Sequence, residues 1–221
     1  MIYSIFINIA FLIFGYLIGS INFAILIGHK TKQLDVRDYH SKNAGATNST
    51  RVLGKKLGLI ILILDILKAL IPVLIVRSLI YAFPIGEYLF YLFPIITGFG
   101  VVVGHIYPVF FKFKGGKGVA CCVGVLIAIN SLLLLIAAVF FFGIIFLFKY
   151  VSLASISTAV IMTIFVFIPW FSSSILGWTT INPSLFYVNG IFYILSAALL
   201  IYSHRSNIIR LINHQERKIK F

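Results

Sequence analysis

Long apolar runs separated by short polar segments set the pattern of this chain. Runs with few or no charges occupy Ile2–Gly28, Leu57–Tyr81, Tyr88–Gly104, Ser152–Trp170 and Leu185–Tyr202. Each approaches the roughly 20 mostly apolar residues that a membrane-crossing helix needs, and each predicts one. Between the third and fourth lies Val119–Phe148, a stretch with no charge at all. As a single helix it would be about 45 Å long, against an apolar bilayer core of about 30 Å. It is long for one crossing and short for two.

Charge placement favours two. If Ile2–Gly28 enters from outside, the basic segment after it is cytosolic, Leu57–Tyr81 exits and Phe83–Glu87 is an outer turn. The segment around Lys112–Lys117 and the basic tail then also fall inside, by the excess of Lys and Arg on that side. This holds only if Val119–Phe148 crosses twice, turning near Asn130-Ser131 and returning to Lys149. The expectation is an all-α integral membrane protein, one polytopic domain over residues 1–221. It has seven helices, N-terminus out and C-terminus in. Five spans plus re-entrant segments is the competing arrangement.

Composition agrees. Apolar residues make up 61% of the 221 and charged residues 10%, where a soluble domain carries about 25% charged. The 22 Phe and 11 Tyr exclude a solvated, disordered chain. A net charge of +13 would suggest nucleic acid in a soluble protein. Here most Lys and Arg lie in Lys30–Lys56, Lys112–Lys117 and Arg205–Lys220, each flanking an apolar run, so no nucleic acid is expected. These groups orient the chain and meet anionic lipid, and some can face an anionic substrate. No Lys or Arg precedes Lys30, so the first run reads as a retained span rather than a signal peptide.

Within the runs, Gly15 and Gly19 form a G-x-x-x-G, extended by Ser20, Ala24 and Gly28 at four-residue spacing, which predicts close helix packing. Asp65 and Lys68 are three apart on one helix face and read as a structural ion pair. Adjacent Cys121 and Cys122 point in different directions, so neither a disulfide nor a metal site is expected.

Three polar segments, at about 29–56, 105–118 and 203–221, carry the candidate chemistry. The first holds Arg37, Ser41, Asn43, Gly45, Thr47, Asn48 and Arg51, a set rich in hydrogen-bonding groups and poor in core-packing ones. The second brackets Lys117 with Gly115, Gly116 and Gly118 directly before an apolar helix, and adds His105 and Lys114. Glycine permits close backbone approach, and a helix N-terminus offers free N–H groups to an anion, so this predicts a phosphate cradle. It is not a nucleotide loop of the Walker type, because Gly118 stands where that motif has Ser or Thr. In the third, His204, Asn207 and Leu211 recur at helical spacing, so a short helix continuing the last span would present His204 and Asn207 together.

These segments, each following a span, resemble the three motifs of the bacterial acyl-phosphate:glycerol-3-phosphate acyltransferase family, the PlsY type. The first is carried by Ser41, Asn43, Gly45-Ala46-Thr47-Asn48 and Arg51. The second is carried by Gly104-His105, Pro108 and Phe113-Lys114-Gly115-Gly116-Lys117-Gly118-Val119-Ala120. The third is carried by His204-Arg205, Asn207-Ile208, Arg210-Leu211 and Glu216. Asp65, Lys68 and Val151–Ser155 also resemble the family. His40, Lys42 and His214 stand where the family commonly has glycine.

The resemblance implies acyl transfer from acyl phosphate to the 1-hydroxyl of glycerol 3-phosphate, giving lysophosphatidic acid and phosphate in the bacterial cytoplasmic membrane. It implies no cofactor, no metal and no acyl-CoA. It also implies coupling to the enzyme that makes acyl phosphate. Ser41, Arg51, Lys117, His204 and Asn207 are then the catalytic candidates. Arg37, Asn43, Thr47, Asn48, His105, Lys114, Gly115, Gly116 and Gly118 are the substrate-binding candidates. Acyl phosphate is already activated, so a substrate phosphate oxygen can take the hydroxyl proton while His204 positions the substrate; His204 as general base is the other possibility. An organophosphate transporter is the alternative function, but it would bind near the midplane, and here the polar groups gather at one face. The H-x-x-x-x-D motif of acyl-CoA-dependent acyltransferases is absent after all five histidines.

Overall fold

The computed structural model describes residues 2–83 and 91–219. Among these the protein is helical, without strands: α1 Ile2–Gly19, α2 Phe23–Lys32, α3 Ala46–Leu53, α4 Lys55–Ala82, α5 Ile95–Ile106, α6 Val119–Ile129, α7 Leu132–Phe148, α8 Val151–Val166, α9 Pro169–Ser173, α10 Tyr187–Ser203 and α11 Arg205–Ile212. Three helical stretches, Ile2–Lys32, Lys55–Ala82 and Pro183–Ser203, are long and apolar enough to cross a membrane, and four shorter apolar helices accompany them. The expected turn Phe83–Glu87 and the start of the third run at Tyr88 lie mostly outside the described residues.

Glycines bring the first and fifth helices into backbone contact. A Cβ on Gly15 or Gly19 would overlap the backbone of Thr97 or Val101, and one on Gly100 or Gly104 would overlap the carbonyls of Leu12 or Tyr16. The G-x-x-x-G of α1 therefore meets a second one in α5, as lipid-phase packing requires. Gly124 brings α6 equally close to the Ile66 carbonyl of α4. The main core then fills between α5, α6, α8 and α10, around Val101, Val125, Leu126, Met162 and Tyr193.

The uncharged stretch divides where expected: α6 ends on Asn130 and α7 begins after Ser131. The Asn130 side chain donates to the Phe171 carbonyl (2.9 Å) and accepts from the Leu132 N–H (2.9 Å), so it fastens the turn to the segment after α8. Arg77 stacks on Trp178, and Trp178 donates its backbone N–H to Ala128 just before that turn. These contacts form the end of the bundle opposite the three polar segments.

Three expectations need correction. Ile2–Gly28 is not one helix: it breaks at residues 20–22, where Asn22 caps α2 by accepting from the Ile25 N–H (3.1 Å), and α2 runs on to Lys32. Ser152–Trp170 is likewise shortened, because Pro169 cannot continue α8 and instead starts α9. The first polar segment has a core of its own: Val36, Ala44 and Leu53 are buried with Ala24, Ile25 and Ile61, and α3 forms within the segment.

Cys121 and Cys122 are buried thiols, Cys121 contacting the Asp65 carbonyl. Asp65 and Lys68 form the expected ion pair, with Nζ 2.9 Å from Oδ1.

Candidate active site

The second and third polar segments meet at Lys117. Its ammonium donates to the side-chain oxygen of Asn207, in the first turn of α11, and the Ser203 hydroxyl donates to its carbonyl (3.0 Å). Asn207 is buried and held in turn: its amide donates to Glu216 (2.7 Å), which also accepts from Ser152 of α8 (2.9 Å) and from Arg210 (2.7 Å). Burial alone would raise the Glu216 carboxyl, but hydrogen bonds from Asn207, Arg210 and Ser152 outweigh it and hold the group below its usual range. Glu216 is an ionised anchor that fixes the face Asn207 presents.

Electrostatics at Lys117 are those of a cation site short of negative charge. Burial pulls the ammonium down to about 8, Arg210 and Arg51 push the same way, and Glu216 only partly opposes them. Lys117 remains mostly protonated at neutral pH. An anion placed among Lys117, Arg51 and Arg210 relieves this mutual repulsion.

His204 lies at the junction of α10 and α11 and is 3% exposed. Its Nδ1 faces the Leu200 carbonyl at 2.8 Å; a carbonyl can only accept, so Nδ1 carries the hydrogen and Nε2 is the free acceptor. Burial first, and then Lys117, lowers its pKa to about 4. The ring is neutral and a weak base.

The first segment docks on the second. Arg37 is a clasp: it pairs with Asp35 (2.7 Å) and donates to the carbonyls of Phe111 and Lys114 (both 3.0 Å). Asn48 accepts from the Ser41 N–H and hydroxyl (3.1 and 3.0 Å) and donates to Val36 and Tyr39, so it shapes the loop from inside. Ser41 and Thr47 are exposed, Asn43 is half-buried beside Gly45, and Arg51 is exposed on the last turn of α3.

Two candidate groups differ from the sequence expectation. The N–H groups of Gly115 and Gly116 already donate to Ile106 (3.1 Å) and His105 (3.0 Å). The glycines serve approach instead, since a Cβ on either would overlap His105. The N–H groups left without intrahelical acceptors are those opening α6 after Gly118, which takes φ +84. His105 is buried against Lys68 rather than lying on the polar surface, and Lys114 is exposed.

Ser152, Ser203 and Arg210 were not singled out as site residues by sequence reading. Ser203 adjoins His204, Arg210 belongs to the third motif, and Ser152 lies in the Val151–Ser155 stretch that resembles the family, but nothing local to it points to Glu216. Among the described residues no three His, Cys, Asp or Glu side chains group as metal ligands.

A sequence model of the family described as Glycerol-3-phosphate acyltransferase matches residues 9–214. A protein named Glycerol-3-phosphate acyltransferase from Mycoplasmopsis synoviae is 48% identical over 218 residues, covering 99% of this chain and 97% of that one. Two crystal structures of PlsY (YgiH), an integral membrane glycerol 3-phosphate acyltransferase, share 38% identity with this chain. The glycerol 3-phosphate form superimposes with a TM-score of 0.77 over 96% of each chain. The lysphosphatidic acid form does so at 0.76 over 96% of this chain and 95% of the other.

Proposed function

This chain belongs to the glycerol-3-phosphate acyltransferase family, and from that premise we propose that it transfers a fatty acyl group from acyl phosphate to the 1-hydroxyl of glycerol 3-phosphate. One observation carries the reading: the half-buried Lys117 is held by Asn207 just before the open N–H groups of α6, with Arg51 and Arg210 adding positive charge to its surroundings. Two phosphate-bearing substrates supply the negative charge that suits these groups.

In this mechanism the glycerol oxygen attacks the acyl carbonyl and the bond from carbonyl carbon to phosphate oxygen breaks. The leaving phosphate takes the hydroxyl proton, giving lysophosphatidic acid and inorganic phosphate. Lys117 meets the charge that develops on the departing phosphate, a role worth the most where water is excluded. His204, neutral with Nε2 as its free acceptor, orients the hydroxyl. Its low basicity favours the substrate phosphate as the proton acceptor. Arg51 binds a phosphate from the exposed side, with Ser41, Asn43 and Thr47 lining the entrance.

For the membrane, this reading has the seven apolar helices crossing, with the polar segments at the cytosolic face of a bacterial inner membrane. Single cysteines at Lys42, Lys114 and Lys218, labelled from either side of vesicles, test that: labelling of any one from the outside overturns it. Purified protein given glycerol 3-phosphate with either acyl phosphate or acyl-CoA tests the donor. Release of phosphate and lysophosphatidic acid from acyl phosphate alone is expected, and it is lost in Lys117→Ala.

A further inference from the structure

Lys68 lies inside the bundle with 3% of its side chain exposed, beside Asp65 at 2%. Its N–H groups reach the carbonyls of Ile21 (2.9 Å) and Gly19 (3.3 Å) and the Nδ1 of His105 (2.9 Å), while Asp65 supplies the counter-charge. An ammonium only donates, so Nδ1 accepts; His105 is neutral, with its hydrogen on Nε2. Burying two charges costs several kcal/mol per ion before pairing, so the groups that surround the pair must repay that cost. What the pair touches suggests a further role.

Two routes lead from Lys68 to the polar segments. Through the carbonyls of Gly19 and Ile21 it steadies the break between α1 and α2, where Asn22 donates to the Ala44 carbonyl (3.3 Å) of the first segment. Through His105 it reaches the second. The His105 carbonyl accepts from the Gly116 N–H (3.0 Å), and the ring's Nε2 abuts the Gly116 Cα, one residue before Lys117. The routes rejoin at Gly116, which faces the His105 ring and the Ala44 carbonyl together, while Ala44 donates its N–H to Gly115 (3.4 Å).

We propose that Asp65, Lys68 and His105 form a positioning cluster that registers the first and second polar segments against each other and so holds Lys117 at the substrate headgroups. The residues do not touch substrate. The inference rests on the acyltransferase reading for its consequence, but not for its geometry.

The test uses the whole protein in detergent. Asp65→Asn/Lys68→Met removes both charges together, so no buried ion is stranded, and His105→Gln breaks the second route alone. Backbone hydrogen exchange is expected to rise in both 41–48 and 112–118 in the double variant, with 151–166 and 187–203 unchanged. His105→Gln should loosen 112–118 first. Activity should fall about 100-fold, as a displacement of about 1 Å at a reacting group does. Adding His105→Gln to the double variant should cost little more, because residues in one network are not additive. The alkaline limb of kcat/KM should also move upward, since a loosened loop admits water to Lys117 beside Arg210, Arg51 and Glu216. A folded variant with either segment unchanged in exchange, or losses that multiply, overturns the proposal. If wild-type protein transfers no acyl group, the functional reading fails while the exchange measurement still decides this one.

Discussion

The ammonium of Lys117 is hydrogen-bonded to the side chain of Asn207, 90 residues further along the chain. That bond joins the loop after α5 to the helix after α10, and neither segment places its functional group without the other.

Lys117→Ala removes the cation that meets the leaving phosphate. Loss of one such group costs roughly 3–4 kcal/mol, about 100- to 1000-fold in kcat. Steady-state kinetics with acyl phosphate should give that loss. Asn207→Ala should lose less, because Lys117 stays charged but is no longer held.

The pH dependence follows from the same residue. Lys117 must be protonated to act, and its value of about 8 lies below the ordinary 10.5. kcat/KM should therefore fall as pH rises through about 8. Stability moves oppositely: between about 8 and 10.5 the unfolded chain binds more protons at this site than the folded one, so this site's contribution grows with pH. On the acid side His204, at about 4, should impose no limb near neutrality. A bell centred on an ordinary imidazole value would instead favour His204 as base.

Glu216→Gln should loosen the tail and displace Asn207. The Glu216 carboxyl is lowered in the folded state, so its stabilisation is present above the unfolded value near 4.5 and is lost as pH falls below it. Thermal unfolding of wild type and variant should converge in acid and separate at neutral pH.

His40, Lys42 and His214 all take left-handed backbone, with φ of 51, 53 and 55. Left-handed backbone favours glycine, so the side chains at these three positions bear the strain. Each replacement by glycine should stabilise by about 0.5–1 kcal/mol, the left-handed penalty less the entropy glycine loses. Thermal unfolding in detergent measures it.

Gly104→Ala should separate α1 from α5, because the new Cβ meets the Tyr16 carbonyl, which is backbone and cannot swing aside. Overpacking of this kind costs about 1–3 kcal/mol. A melting temperature equal to wild type would mean that the two helices do not pack this closely.

Much of this was legible in the residue order. The turn at Asn130-Ser131 could be read because an uncharged run too long for one span has few places to bend. Gly15 and Gly19 announced close packing by spacing alone, and Asp65 with Lys68 announced a pair. The break at residues 20–22 could not be read: Asn22 is one polar residue in an apolar run, and the carbonyls freed there are satisfied by Lys68, 47 residues away from Ile21. The role of Ser152 was illegible for a like reason: Val151–Ser155 carries a likeness to the family, but the partner Glu216 is 64 residues distant.

The sequence by itself determined the solvent, the run lengths and which side chains carry chemistry, because those depend on composition and spacing along one helix. Only the tertiary structure decided which of those groups are free. Arg37, Asn48, His105 and the N–H groups of Gly115 and Gly116 are committed inside the fold, while Arg51 is exposed and Lys117 half-buried near an uncompensated charge. That division is made by hydrogen-bond partners far apart in the chain, and no local pattern of residues encodes them.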